Sequence, residues 1–294
     1  MSPSRPRQTP SILVFGGGWL GHAMGRDVQA RGGTAWLTSR SPKTRAELAD
    51  AGFQAVDPVD PDALKEAVSA VQTLLVTTPP EPSGCPGLRA LVPALSASGA
   101  WPDWIGYISS SAVYGDRAGA WAFEDEPLHA SSLTGARRVR AEAEWLEAGQ
   151  GMGLTIQIFR LPALYGPGRN VIGRLRDGTA RLVHKPGQVF NRIHVDDVVS
   201  GLRASMDRPN PGRAYTLCDD APSPADAIMA WTARRMGLPT PPEIDWTDPS
   251  VSDSMRRFYL DNKRLSNARA KAELGWRPRY PSYREGMEAL LREE

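Results

Sequence analysis

Three glycines, Gly16, Gly18 and Gly21, stand at GxGxxG spacing directly behind four apolar residues, Ile12 to Phe15. The apolar run predicts a short buried strand. The residues after it, with Leu20, Met24 and Val28 on one face, predict an amphipathic helix. That placement suits a dinucleotide. Gly16 permits a tight turn, Gly18 lets the backbone approach a pyrophosphate, and Gly21 lets the helix pack close to the strand. The N–H groups of the helix start, Trp19 and Leu20 among them, then aim the positive end of the helix at phosphate. A glycine-rich turn between packed elements is the plain alternative. The choice of dinucleotide rests on the end of the second expected strand, where an acid would bond the ribose 2′-hydroxyl of NAD. Here it reads Thr38-Ser39-Arg40. A guanidinium fork flanked by two hydroxyls matches the oxygens of a 2′-phosphate, so NADP is expected over NAD; a solvated surface arginine would leave the choice open. Asp57 and Thr77, at the ends of the third and fourth expected strands, are further cofactor-binding candidates.

These residues need a scaffold, and the chain supplies one. Strands are expected at Thr34 to Thr38, Phe53 to Val56, Thr73 to Thr77 and Trp104 to Ile108. Helices alternate with them, one capped by Ser41 and carrying Leu48, others at Pro61 to Ala70 and Leu88 to Leu95. That rhythm implies right-handed crossovers and an α/β fold of the Rossmann type, a doubly wound parallel sheet. A helix from Thr134 to Leu146 and a strand from Leu154 to Phe159 continue it. From Gly166 the chain changes character: glycine- and proline-rich turns, short strands (Phe190 to Val195, Ala214 to Leu217) and several helices suggest a smaller C-terminal α+β unit that binds substrate. The expected division is 1–165 and 166–294, with 196–217 returning to the first part. Residues 1–10 read as a loose tail.

Composition narrows the function further. The chain has 294 residues, enough for one large domain or two unequal ones, and a formal net charge of +2, too small to argue for nucleic acid. No apolar run approaches membrane length and no secretory leader is evident, so a cytoplasmic protein is expected, with no membrane partner. Cys85 and Cys218 lie far apart, which indicates neither a disulfide framework nor a metal site.

The ordered motifs Ser109-Ser-Ser-Ala-Val-Tyr-Gly115, Leu164-Tyr-Gly-Pro-Gly-Arg169, Arg192-Ile-His-Val-Asp-Asp197 and Glu273-Leu-Gly-Trp276 give the chain its resemblance. It resembles the extended short-chain dehydrogenase/reductase family, and within it an atypical branch of NAD(P)-dependent epimerase/dehydratase proteins. The resemblance implies that Ser110 bonds the substrate oxygen, with Ser111 as its neighbour. It also implies a tyrosine and a lysine four residues apart as the acid/base dyad, on the helix from Thr134. The matching positions here are Thr134 and Arg138, and no tyrosine occurs between Tyr114 and Tyr165, nor any lysine between Lys65 and Lys185. Thr134 is far too weak an acid to replace a phenol; Arg138 retains donors for a ribose. Tyr114, Tyr165 and His194 are then the candidate proton donors, each with a packing role as its alternative. Ser111 and Ala112 stand where the 4,6-dehydratases carry an Asp-Glu pair, and Ala163 where nucleotide-sugar enzymes carry an asparagine.

An anionic ligand fits the run from Arg169 to Arg192, which holds Arg169, Arg174, Arg176, Arg181, Lys185 and Arg192 against one acid, Asp177. Arg169, Arg192, Tyr165 and Ser111 are the substrate-binding candidates; a solvated basic face is the alternative. The expectation is an NADP-dependent oxidoreductase or epimerase acting on a small polar, anionic or sugar-like carbonyl or alcohol, with a homodimer as the candidate assembly. The alternative function is a non-catalytic NADP(H)-binding sensor or regulatory protein.

Overall fold

A computed structural model describes residues 10–293. The expected tail lies, but for Pro10, outside the described residues. In chain order the elements begin β1 (Ser11–Phe15), α1 (Trp19–Ala30), β2 (Thr34–Thr38), α2 (Pro42–Asp50), β3 (Gln54–Val56), α3 (Pro61–Ser69), β4 (Thr73–Val76), α4 (Pro86–Ser98) and β5 (Trp104–Ser110). A 3-10 turn (Ser111–Tyr114) leads to β6 (Trp121–Ala122), α5 (Leu133–Met152), β7 (Ile156–Leu161), β8 (Ala163–Tyr165), α6 (Ile172–Arg176), β9 (Leu182–His184) and β10 (Arg192–His194). The chain closes with α7 (Val195–Asp207), β11 (Ala214–Thr216), α8 (Ala225–Arg235), β12 (Glu243–Asp245), α9 (Asp253–Phe258), β13 (Arg264–Leu265), α10 (Ala268–Leu274) and α11 (Tyr283–Glu293).

The central sheet is parallel, with the order β11-β7-β5-β4-β1-β2-β3. β1 lies inside it, paired with β2 on one side and β4 on the other (Val14 opposite Leu37 and Leu75), so its apolar run is buried on both faces. The helices start where local chemistry allows. Ser41 caps α2 by accepting from the Thr44 N–H at 3.3 Å, and Asp60 caps α3 by accepting from Asp62 and Ala63.

The chain divides into two compact units, residues 1–109 with 140–159 and 205–214, and residues 110–139 with 160–204 and 215–294. The first unit packs Leu13, Phe15, Leu74, Leu91, Tyr107, Trp145 and Ile158 into one core. There the Trp104 indole donates to Gln157 Oε1 at 2.6 Å and to Ser205 Oγ at 3.0 Å, joining β5, β7 and the end of α7 through a buried polar triad. The second unit holds the short parallel pairs β8–β10, β9–β12 and β6–β13. The units interleave more often than a single boundary at 165 with one return at 196–217 would have it. The physical reason is visible at 110–139: Val113, Tyr114 and Ala122 bury themselves against Cys218 and Leu265, which come from the far end of the chain. Among the described residues, no helix is long and apolar enough to cross a membrane.

Candidate functional site

The glycine turn of the first unit has the geometry that a phosphate cradle requires. Gly16 sits at φ +125°, in the region that favours glycine, and a Cβ there would lie 2.3 Å from Thr77 Oγ1. A Cβ on Gly21 would lie 2.3 Å from the Gly16 carbonyl oxygen, so the first turn of α1 packs directly on the loop. Gly18 differs: no heavy atom lies within 4 Å of its absent Cβ. It is the N-cap of α1 and carries no side chain to cap the helix start, while its carbonyl accepts the His22 N–H at 2.8 Å. A pyrophosphate fits such a position, by charge and by room.

Thr38 and Thr77, expected to bind cofactor, brace this loop. The Gly16 N–H donates to Thr38 Oγ1 at 2.9 Å, and Thr77 Oγ1 donates to the Gly16 carbonyl at 3.0 Å. Trp19 is half-buried and Leu20 buried at the helix start. Beyond β2, Ser39 Oγ accepts from the Ser41 N–H at 3.2 Å, and Arg40 is exposed, its Nη1 3.7 Å from Glu81 Oε1. Asp57 is spoken for: it pairs with Arg45 at 2.9 Å and accepts from the Val59 N–H. Arg45 also holds the carbonyls of Ser39 and Arg40, which fixes the backbone at the tip of β2.

At the end of β5 the first unit contains a pair that residue type and spacing did not single out. The buried Ser109 hydroxyl donates to the buried Glu142 carboxylate at 2.5 Å. Its signal in the sequence was faint, Glu142 standing four residues beyond Arg138 on the expected helix.

In the second unit, Ser110 Oγ accepts from the Ala112 N–H at 3.2 Å and so caps the 3-10 turn. That bond uses a lone pair and leaves the hydroxyl proton to donate. Ser111 is half-buried beside it. Thr134 is exposed, with Ser132 Oγ at 3.2 Å, and Arg138 lies half-buried on α5.

The three expected proton donors are core groups. Tyr114 is fully buried, its phenol held by Thr216 Oγ1 at 2.8 Å and Arg160 Nη1 at 3.2 Å; burial raises its pKa above the usual phenol range. Tyr165 and His194 face each other across the parallel β8–β10 pair, their rings edge to face at 5.2 Å. Burial first, then the carboxylates of Asp219 and Asp197, pushes the Tyr165 phenol up. His194 is 2% exposed and also packs on Tyr280 at 4.4 Å. Its Nδ1 accepts from the Asp196 N–H at 3.2 Å, which assigns the ring proton to Nε2, and burial lowers its pKa. At neutral pH both phenols are protonated and poorly acidic, and the imidazole is neutral. Their environment suits packing better than proton delivery.

Arg192 is equally committed. Its guanidinium donates to the carbonyls of Phe190, Ser223 and Pro224 and to Ser223 Oγ at 2.8 Å, and it lies 6.0 Å from the Tyr283 ring centroid. Arg169 is exposed on the turn that closes with the Gly166–Arg169 bridge. Beside Arg192 lies Asp219, a residue that the motifs did not bring forward. Its N–H donates to the Arg192 carbonyl at 2.8 Å and its Oδ1 accepts from the Ala221 N–H, while Oδ2 is buried without a partner. Burial pushes this carboxyl up to about 7. Asp197 caps the 279–280 segment instead, accepting from the Arg279 N–H at 2.6 Å and the Tyr280 N–H at 3.0 Å.

The family model described as "NAD dependent epimerase/dehydratase family" matches residues 87–218. A Streptomyces protein named 3-diazoavenalumate denitrifying reductase is 30% identical over 94% of this chain and 98% of its own length. The chain belongs to the NAD-dependent epimerase/dehydratase family. Protein YeeZ of Escherichia coli K12, 28% identical over 92% of this chain and 96% of its own, is a similar relative. A solved structure of a functionally unknown conserved protein from Silicibacter pomeroyi is 39% identical, with a TM-score of 0.88 over 97% of this chain and 99% of that one. The family comprises epimerases, dehydratases and reductases that use a nicotinamide dinucleotide, which is the ligand class that the glycine turn suits.

Proposed function

We propose that the protein is an NADP-dependent oxidoreductase acting on a small polar, anionic or sugar-like acceptor. The observation that carries this reading is the cradle at Gly16, Gly18 and Gly21: a braced turn, a helix start without a side-chain cap, and open space where the Gly18 side chain would be. Gly16, Gly18, Trp19, Leu20 and Gly21 would hold the pyrophosphate. Arg40 and Ser39 would receive a 2′-phosphate; the Arg40 guanidinium is exposed, and Thr38, Ser39 and Arg40 at the tip of β2 include no acid. Arg138 would donate to the ribose. When bound, the cofactor supplies the hydride; the protein orients it and polarises the acceptor. Ser110 would donate its hydroxyl proton in a hydrogen bond to the reacting oxygen, its orientation set by the cap on Ala112.

The environment of Tyr114, Tyr165 and His194 favours a second substrate class. A carbonyl that accepts hydride becomes an alkoxide and needs a proton, which none of these three groups is disposed to give. A diazo acceptor in its cationic diazonium form, the class suggested by the name of the reductase relative, would take hydride at its terminal nitrogen to give a neutral diazene, which breaks down to N2 and the C–H product, so no alkoxide forms and no proton from the protein is needed. Such an acceptor suits a chain with Thr134 and Arg138 at the dyad positions.

The test is calorimetric titration of the protein with NADPH, NADP, NADH and NAD, repeated with Arg40→Ala, followed by NADPH oxidation against matched carbonyl and diazo acceptors. Selective NADP(H) binding, weakened about tenfold or more in the variant, is the expected result. Binding of none of the four overturns the reading. Equal binding of NAD and NADP removes Arg40 from it.

A further inference from the structure

The acid that the tip of β2 lacks is brought to it by another segment of the first unit. The chain leaves β4 through Thr77, whose hydroxyl braces the Gly16 carbonyl, and then turns at 81–84, where Glu81 and Gly84 exchange backbone hydrogen bonds at 2.9 and 3.0 Å. That turn sets the Glu81 carboxylate between two guanidinium groups. Its Oε1 lies 3.7 Å from Arg40 Nη1, and its Oε2 lies 3.4 Å from Arg89 Nη2.

The two arginines are held differently. Arg89, on α4, is committed to the turn: its Nη1 donates to the Ser83 carbonyl at 2.6 Å and to Ser83 Oγ at 2.8 Å, while Nη2 donates to Glu81 Oε2. Arg40 is tied down at its backbone, where Arg45 donates to its carbonyl at 3.1 Å, but its side chain is 78% exposed. Among the described residues, Glu81 is its one ion-pair partner. At 3.7 Å that contact is longer than a charge-assisted hydrogen bond, so it attracts the guanidinium without locking it. An anchored carboxylate thus meets a guanidinium that stays open to a ligand.

We propose that Glu81 is a specificity-determining residue of the dinucleotide site: it competes with the 2′-phosphate for Arg40 and so moderates the preference for NADP over NAD, while Arg89 limits the competition by drawing the other carboxylate oxygen. The inference rests on the reading of Arg40 given above. A 2′-phosphate carries nearly two negative charges and matches the guanidinium fork, so it takes Arg40 and leaves Glu81 to Arg89. NAD has a hydroxyl at that position, and the Arg40–Glu81 pair stays together. Glu81 therefore acts on one of the two dinucleotides and leaves the other unaffected.

The experiment is calorimetric titration with NADP and NAD of the parent protein, Glu81→Gln, Arg40→Ala and their double variant, and of Arg89→Gln in the parent and Glu81→Gln backgrounds. Circular dichroism confirms that each variant folds. Glu81→Gln should raise NADP affinity by about two- to fivefold, the range that an exposed ion pair spans, and leave NAD affinity unchanged. The gain should shrink in the Arg40→Ala background. Arg89→Gln should lower NADP affinity by about twofold in the parent and have no effect once Glu81 is glutamine. The proposal is overturned by NADP affinity unchanged in Glu81→Gln, by NAD affinity rising equally, or by a gain of the same size without Arg40. An Arg89→Gln loss that persists in the Glu81→Gln background overturns the part given to Arg89. The two readings part at Arg40→Ala: if that variant binds NADP as the parent does, the reading of Arg40 fails and this inference with it. If it binds NADP more weakly while Glu81→Gln changes nothing, this inference alone fails.

Discussion

Replacing Asp219 by asparagine tests the buried polar cluster of the second unit most directly. Asp219 is 3% exposed and its carboxyl is pushed from an ordinary 3.8 up to about 7. Burial is the largest cause; Asp220 and Asp197 add repulsion, and the Ala221 N–H and Arg192 oppose it. Each tenfold change in proton affinity is worth ~1.4 kcal/mol, and roughly three such steps separate 3.8 from about 7, so ionising Asp219 costs the fold about 4 kcal/mol. The sign follows. The folded state holds a proton that the unfolded chain releases, so the group favours folding at about pH 4 and loses that contribution as pH rises through about 7. The asparagine side chain retains the oxygen that accepts from Ala221 and carries no charge. Urea unfolding of parent and Asp219→Asn between about pH 4 and pH 8.5 isolates the effect, because titrating groups that do not interact with Asp219 cancel in the difference. The variant should gain on the parent progressively up to about pH 7 and hold a constant advantage above it. Parallel stability curves across that range would refute the assignment of a buried, high-pKa carboxyl to this position.

Other substitutions separate cradle from scaffold. Gly18→Ala meets no neighbour within 4 Å and has an ordinary backbone angle, so stability should change by less than about 1 kcal/mol, whereas dinucleotide affinity should fall by about tenfold or more; calorimetry and thermal melting read the two outcomes. Gly21→Ala drives a methyl to 2.3 Å from the Gly16 carbonyl and should lower both the melting temperature and dinucleotide binding. Tyr114→Phe removes the phenol shared with Thr216 and Arg160 and should cost about 1–3 kcal/mol in denaturant unfolding. If an acceptor is turned over, its kcat should survive in that variant; loss of kcat without loss of stability would restore Tyr114 as a proton donor. Ser110→Ala should lower turnover of an oxygen acceptor by roughly 10- to 100-fold, one hydrogen bond in the transition state, and leave dinucleotide binding intact.

Most of the first unit was legible because its signals are local. The apolar run at β1, the glycines at fixed offsets, Ser41 before α2 and the alternation of strand and helix each depend on residues a few positions apart, and the parallel sheet satisfies them together. The division into units was less legible because it depends on burial across the whole chain: nothing near Tyr114 announces that it will pack on Cys218 and Leu265. The side chains around the cradle show the same limit. Thr38 and Thr77 were found as neighbours of the expected phosphate, but spacing cannot distinguish a hydroxyl that touches a ligand from one that braces the loop on Gly16. His194 and Arg192 were singled out by residue type, and type says nothing of partners: the ring is enclosed by Tyr165 and Tyr280, and the guanidinium is spent on backbone carbonyls. Asp219 was passed over for the converse reason, one acid of a pair after a strand, whose chemistry comes entirely from burial beside Arg192.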